Sequence, residues 1–183
     1  MRKIVVAEFL SLDGVMENPS WTRPFWNDEI AAFKYDELFA SDAQLLGRVT
    51  YQGFAAAWPS MTDAQGFADR MNNIPKYVVS TTLKTLEWNN SHLIAENIPQ
   101  EILKIKQQSG QNILLAGSST LLKTLIEHDL VDEYHLLLYP VMVGSGKHLF
   151  SEGSKTSLKL VESKPFSSGA IALTYQADRK EKS

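Results

Sequence analysis

The run Asn112–His128, NILLAGSSTLLKTLIEH, limits most tightly what this chain can fold into. Ile113, Leu114, Leu115 and Ala116 form an unbroken apolar stretch, the pattern of a short strand covered on both faces. Gly117 ends it. Ser118, Ser119 and Thr120 are helix-capping residues, and Leu121, Leu122, Leu125 and Ile126 then recur on one helical face. The order is strand, tight glycine turn, helix. Such a junction leaves backbone N–H groups unpaired at the end of a sheet, where they and the helix dipole favour an anion. A capped helix that follows a buried strand and binds nothing has the same pattern.

The order recurs upstream. Asp42–Leu46 predicts a strand, Gly47-Arg48-Val49-Thr50 a turn and helix start, and Tyr51, Phe54, Ala55 and Trp58 one helical face. Lys3–Leu10, rich in Ile, Val and Phe, predicts a central first strand that ends in Ser11-Leu12-Asp13-Gly14. Val15–Trp26 holds two prolines and two tryptophans and predicts an irregular loop of the kind that covers a site. Asn27 predicts the cap of a helix reaching about Phe39. Further strands are expected at Lys76–Ser80, His92–Ala95 and Tyr134–Tyr139, with a helical segment in Thr62–Asn72 and a helix from Pro99 to about Gln108. Leu158–Glu162 and Ala170–Gln176 have no helix between them and read as an antiparallel pair. Alternating strands and helices closed by strands argue for a three-layer α/β/α domain over residues 1–177. Its sheet is mostly parallel with an antiparallel C-terminal edge, and a charged tail follows at 178–183.

Composition removes several function classes. The formal net charge of the 183 residues is -3, so no broad basic field draws nucleic acid or an anionic membrane. No apolar run is long enough to span a bilayer, and a cytoplasmic protein is expected. The absence of cysteine excludes disulfides, thiolate catalysis and cysteine-ligated zinc. His92, His128, His135 and His148 lack metal-ligand spacing, and no metal is expected. Gly144-Ser145-Gly146-Lys147-His148 lacks the earlier glycine and following hydroxyl residue of a phosphate loop, and no G-x-S-x-G elbow is present.

Ligands of open α/β sheets gather at the carboxyl ends of parallel strands. Here those ends carry Asp13-Gly14, Gly47-Arg48-Val49-Thr50, Ser80-Thr81-Thr82 and Ala116-Gly117-Ser118-Ser119. A dinucleotide would place its pyrophosphate on the two glycine turns and a 2′-phosphate near Arg48 and Ser80. No acid follows Ser80 before Glu87, which favours NADP over NAD. Arg48 suits a surface ion pair equally well, and the hydroxyl residues suit plain capping. Glu29, in the first turn of the helix after Asn27 and beside Trp26, Ala32 and Phe33, is a candidate proton carrier if its neighbours are apolar. Solvated acids are also common in first turns. Asp13 is either a turn former or a substrate ligand. Trp26, Phe33 and Phe54 are candidates for an apolar wall that excludes water.

Taken in order, Val6–Gly14 ending in Ser-Leu-Asp-Gly, Leu45-Leu46-Gly47-Arg48-Val49-Thr50-Tyr51, Ala116-Gly117-Ser118, and Leu130-Val131-Asp132-Glu133 with Pro140, Gly144, Gly146 and Leu149-Phe150 resemble the dihydrofolate reductase superfamily. The resemblance covers almost the whole chain. It is strongest to the branch holding the C-terminal reductase domain of the riboflavin-biosynthesis deaminase-reductase. It implies a sheet of about eight strands and NADPH along its carboxyl edge. It also implies a phosphate site at Gly47, Arg48, Val49 and Thr50, the adenosine end at Ser80 and Thr81, and a second phosphate turn from Ala116 through Gly117, Ser118, Ser119 and Leu121 to Leu122. Glu29 falls where dihydrofolate reductases place a helix acid, and Asp13 beside the substrate pocket of the riboflavin branch. The expected activity is a stand-alone, NADPH-dependent 5-amino-6-(5-phosphoribosylamino)uracil reductase, without the deaminase half. The alternatives are a dihydrofolate or pterin reductase and a non-catalytic NADPH-binding protein. The analogy further implies a homodimer that uses apolar residues such as Leu136 and Leu138. The family's second turn commonly carries Gly-Gly, often with a cis peptide, where this chain has Ala116-Gly117.

Overall fold

A computed structural model describes residues 1–150, 152–153 and 155–178. Of the tail expected at 178–183, all but Asp178 lies outside the described residues. The strands are β1 (Ile4–Leu10), β2 (Ser41–Gly47), β3 (Lys76–Val79), β4 (Ser91–Ile94), β5 (Asn112–Leu115), β6 (Glu133–Leu138), β7 (Leu158–Pro165) and β8 (Ile171–Ala177). The α-helices are α1 (Asp28–Phe39), α2 (Arg48–Ala57), α3 (Phe67–Asn73), α4 (Ile98–Gln107) and α5 (Ser119–Glu127). All eight strands form one sheet in the order β4-β3-β2-β5-β1-β6-β8-β7. β8 runs antiparallel to both β6 and β7, while the strands from β4 through β6 are parallel. This is the three-layer arrangement with an antiparallel C-terminal edge that the sequence implies.

Strand alternation assigns each side chain to a layer. On β1, Ile4, Val6 and Leu10 join the cluster that includes Ile102 and Ile105 of α4 and Leu121, Leu122 and Leu125 of α5. Val5 and Ala7 face the other way, towards Leu38 of α1, Tyr51 of α2 and Met71 of α3. A third cluster around Ile30, Leu137, Tyr139 and Phe166 joins α1 to the antiparallel edge. Burying a single Leu or Ile side chain is worth about 1.5–3 kcal/mol, so these layers carry most of the stabilisation. Two local readings change. The segment 15–26 contains a 3-10 helix, Pro19–Phe25, and α3 begins only after Gly66, whose φ of +80° fits glycine. Leu136 is only 6% exposed and belongs to the core, so it is not offered to a partner. β6 lies inside the sheet, whose edge strands are β4 and β7, and Leu160 and Val161 of β7 are about half exposed. No helix among the described residues is long and apolar enough to cross a membrane.

Candidate active site

β1 pairs with β5 only over Ile4–Val6 and then continues along β6 to Leu10. The two central strands therefore part after Val6, and a cleft of about 1800 Å³ opens at their carboxyl ends. Two helix starts face it. α2 follows Gly47, which supplies no side-chain cap to the first N–H groups of the helix. α5 is capped by Ser118, whose Oγ accepts from Leu121 N–H at 3.3 Å.

The two turns lean on each other. Gly47 N–H donates to Gly117 O at 3.1 Å. A Cβ on Gly47 would lie 2.7 Å from Ser118 Oγ, and one on Gly117 only 2.5 Å from Thr50 Oγ1. Gly117 also has φ +68°, a conformation costly for other residues. The glycines thus let two helix N-termini approach to backbone contact and concentrate partial positive charge at one end of the cleft. The cis peptide lies at Gly117–Ser118, one bond after Ala116-Gly117.

Gly47, Arg48, Val49, Thr50, Ser80, Thr81, Ala116, Gly117, Ser118, Ser119 and Leu121 all line this cleft. Arg48 is exposed at the α2 start, where it donates to Gln52 Oε1 at 3.1 Å. Ser80 Oγ is held by its own turn, accepting from Thr82 N–H at 3.2 Å and Leu83 N–H at 3.0 Å. Leu122 is the exception: it is 1% exposed and packs in the core, because it lies on the face of α5 turned to the sheet.

The expected catalytic and substrate residues divide. Trp26 lines the cleft edge-on to Phe9, with ring centroids 6.2 Å apart, and Phe54 lines it from α2. Phe33 instead packs on Phe166, centroids 5.9 Å apart, away from the cleft. Glu29 is also outside it. Its carboxylate accepts from the Ser167 hydroxyl, from Ser167 N–H at 2.8 Å and from Asn27 Nδ2 at 3.2 Å. Those donors hold it below the ordinary carboxylate range, so the apolar setting expected of Glu29 is not found. Asp13 has its carboxylate turned to Ser11 and to the N–H groups of Val143 at 3.1 Å and Gly144 at 2.7 Å, which pull it down to about 2. Asp13 therefore clasps the loop after β6 and stays ionised at any ordinary pH.

Of the acids that line the cleft, the one that meets a glycine turn is Glu8, on β1 just beyond the point where β1 and β5 part. Its Oε1 accepts from Gly117 N–H, and its other oxygen takes no hydrogen bond from the described residues. Desolvation pushes this carboxyl up to about 8 against the pull of Gly117 N–H and the charge of Lys34, with Glu37 adding to the rise. A single acid in an otherwise apolar central strand, Ile-Val-Val-Ala-Glu-Phe-Leu, is the sequence signal for it. Beside Glu8, Lys34 pairs with Glu37 and sits 5.3 Å from the Phe9 ring centre. Glu37 in turn meets His135 Nδ1 at 3.0 Å, and His135 Nε2 meets Glu133 at 2.8 Å. Burial alone would lower the His135 pKa, but its bonds to Glu37 and Glu133 hold it above the ordinary histidine value.

Residues 2–172 match the model of the RibD C-terminal domain. The chain belongs to that family. It is 30% identical over 178 residues to the protein YyaP of Bacillus subtilis (strain 168), covering 95% of this chain and 94% of the relative. Among solved structures it resembles the Thermotoga maritima diaminohydroxyphosphoribosylaminopyrimidine deaminase/5-amino-6-(5-phosphoribosylamino)uracil reductase, with TM-score 0.68 and 14% identity. That match covers 96% of this chain and 56% of the bifunctional one. Dihydrofolate reductase from Enterococcus faecalis, solved with NADP(H), matches with TM-score 0.63 and 16% identity over 96% of each chain. At these identities the structures establish the dihydrofolate-reductase-like fold, and the family match places the chain among RibD C-terminal domains.

Proposed function

We propose that this family member is an NADPH-dependent oxidoreductase that reduces a C=N or C=O bond of a small heterocyclic or ribosylamino compound in the cytoplasm. The observation that carries the reading is the meeting of two glycine turns and the Glu8 carboxyl, bonded to Gly117 N–H, in a single cleft. The cleft exceeds the roughly 300–1,000 Å³ typical of a single small ligand, which suits a dinucleotide and a substrate side by side. The first N–H groups of α2 and the α5 start would hold the pyrophosphate, and Arg48 and Thr81 would meet the adenosine end. When bound, NADPH supplies the hydride. Glu8 would hold the proton that the reduced nitrogen or oxygen requires, while Trp26 and Phe54 screen the site from water. β7, exposed along most of its length with Leu160 and Val161 outward, would give a homodimer its edge.

The test is consumption of NADPH by the purified protein with 5-amino-6-(5-phosphoribosylamino)uracil, its dephosphorylated form and a dihydropterin. NADPH oxidation should require one of these compounds and should be at least about tenfold slower with NADH, the effect of losing one 2′-phosphate contact worth about 1.4 kcal/mol. NADPH that binds but is never consumed across the panel would leave a nucleotide-binding protein without this activity.

A further inference from the structure

The two ends of the cleft differ in charge. At one end are the two helix N-termini and Arg48. The other end is bounded by α1, the loop at 16–19 and Trp26. Asp28, Ala31, Ala32 and Tyr35 of α1 face it at i, i+3, i+4 and i+7, which brings one side of that helix to the cleft. Its walls are aromatic and apolar, with Phe9, Met16, Trp26 and Tyr35 among them. Among the described residues, its charged groups outside ion pairs are mostly acidic, namely Glu17, Asp28 and Asp36, with Lys147 also on the lining and Glu37 already paired with Lys34. Lys34 is the cation set among them, and it is committed to Glu37 and the Phe9 ring. Lys147 stands exposed on the loop after β6, with its own N–H donating to Glu17 at 3.3 Å. Arg48 lies on α2 at the other end and bonds Gln52.

A phosphate monoester carries a charge of about -1.5 to -2 near neutral pH and is normally met by free Arg or Lys side chains or by a helix N-terminus. The α1 start offers the reverse, since Asp28 and Glu29 occupy its first turn. Glu8 adds an independent indication of what fits here. One of its oxygens is bonded to Gly117 and the other is unbonded among the described residues, which suits a ring nitrogen or carbonyl of a flat heterocycle.

We propose that the substrate of this cleft is a planar heterocycle that carries no phosphate and is neutral or cationic, lying between Trp26, Phe9 and the Tyr35 face of α1 with a polar edge on Glu8. This rests on the reductase reading for its chemistry, but the charge preference is a binding property and is measured separately. The chain would then differ from a reductase built for a phosphorylated ribosylamine in substrate, not in fold.

The experiment titrates a matched pair, the ribosylaminopyrimidine 5′-phosphate and its dephosphorylated form, by calorimetry into the protein alone and into the NADPH-loaded protein. The dephosphorylated member should bind at least tenfold more tightly in both. The double variant Asp28→Asn/Asp36→Asn, which alters two exposed side chains, should narrow that gap at least threefold by favouring the phosphorylated member. Tighter binding of the phosphorylated compound, binding of neither, or a gap unchanged in the double variant would overturn the proposal. Failure of NADPH itself to bind would instead remove the reductase reading, and the pair measured on the protein alone would still decide the charge preference.

Discussion

Replacing Glu8 by glutamine is expected to lower turnover about 10²- to 10³-fold, the usual contribution of one positioned proton donor, while NADPH affinity stays within about twofold. Glutamine keeps the shape and can still accept the Gly117 N–H, so the cradle is preserved, but it has no acidic proton. The wild-type rate should fall as pH rises through about 8, where the folded carboxyl ionises, and the variant should lack that limb. Stability gives an independent check. In the folded chain Glu8 keeps its proton up to about 8, whereas an unfolded glutamate releases it near 4.5. Between those values the native state binds the extra proton, so wild-type stability declines as pH rises. The Glu8→Gln variant should therefore melt higher than wild type at pH 8 and nearly level with it at pH 4. A melting difference independent of pH would show that the carboxyl is not held protonated.

Gly117→Ala is expected to weaken NADPH binding at least about a hundredfold, or about 2.7 kcal/mol. Alanine at φ +68° costs about 1–2 kcal/mol in backbone energy alone. Its Cβ would also fall 2.5 Å from Thr50 Oγ1, on the first turn of α2 and on a β-branched side chain with little freedom to turn away. Relief requires α2 and the α5 turn to separate, which parts the two helix starts proposed to hold the pyrophosphate. Calorimetric titration with NADPH reads the loss directly. Thr50→Ser should be much milder, because the hydroxyl remains and no backbone moves.

The fold was legible because its signals are local and repeated. Ile113–Ala116 followed by Gly117 and Ser118, and Asp42–Leu46 followed by Gly47, carry strand, turn and helix within a dozen residues each, and Ser118 and Asn27 cap their helices as their residue types suggest. The cleft-lining residues of the two glycine turns follow from the same junctions, apart from Leu122, whose side of α5 is decided by docking on the sheet. The acids were harder. Glu29 and Asp13 looked chemical from their neighbours in sequence, but their oxygens are taken by Ser167 and by Val143 and Gly144, more than 120 residues away along the chain. Glu8 stands out only as the one acid of an apolar strand, and its setting depends on where β1 leaves β5 and on a donor, Gly117, that lies 109 residues later. Packing partners distant in sequence decide which acid meets the glycine turns. Period and propensity do not carry that information.

The central claim is that two glycine turns make one NADPH cradle, and the most direct measurement is a titration of the purified protein with NADPH and NADH. It would follow quenching of the four tryptophans together with energy transfer to the reduced nicotinamide. Trp26 and Trp58 line the cleft, so bound cofactor should quench them. Saturable binding with NADPH preferred at least tenfold, and lost in Gly117→Ala, is the expected result. Binding of neither nucleotide, or equal binding to wild type and Gly117→Ala, would contradict the account.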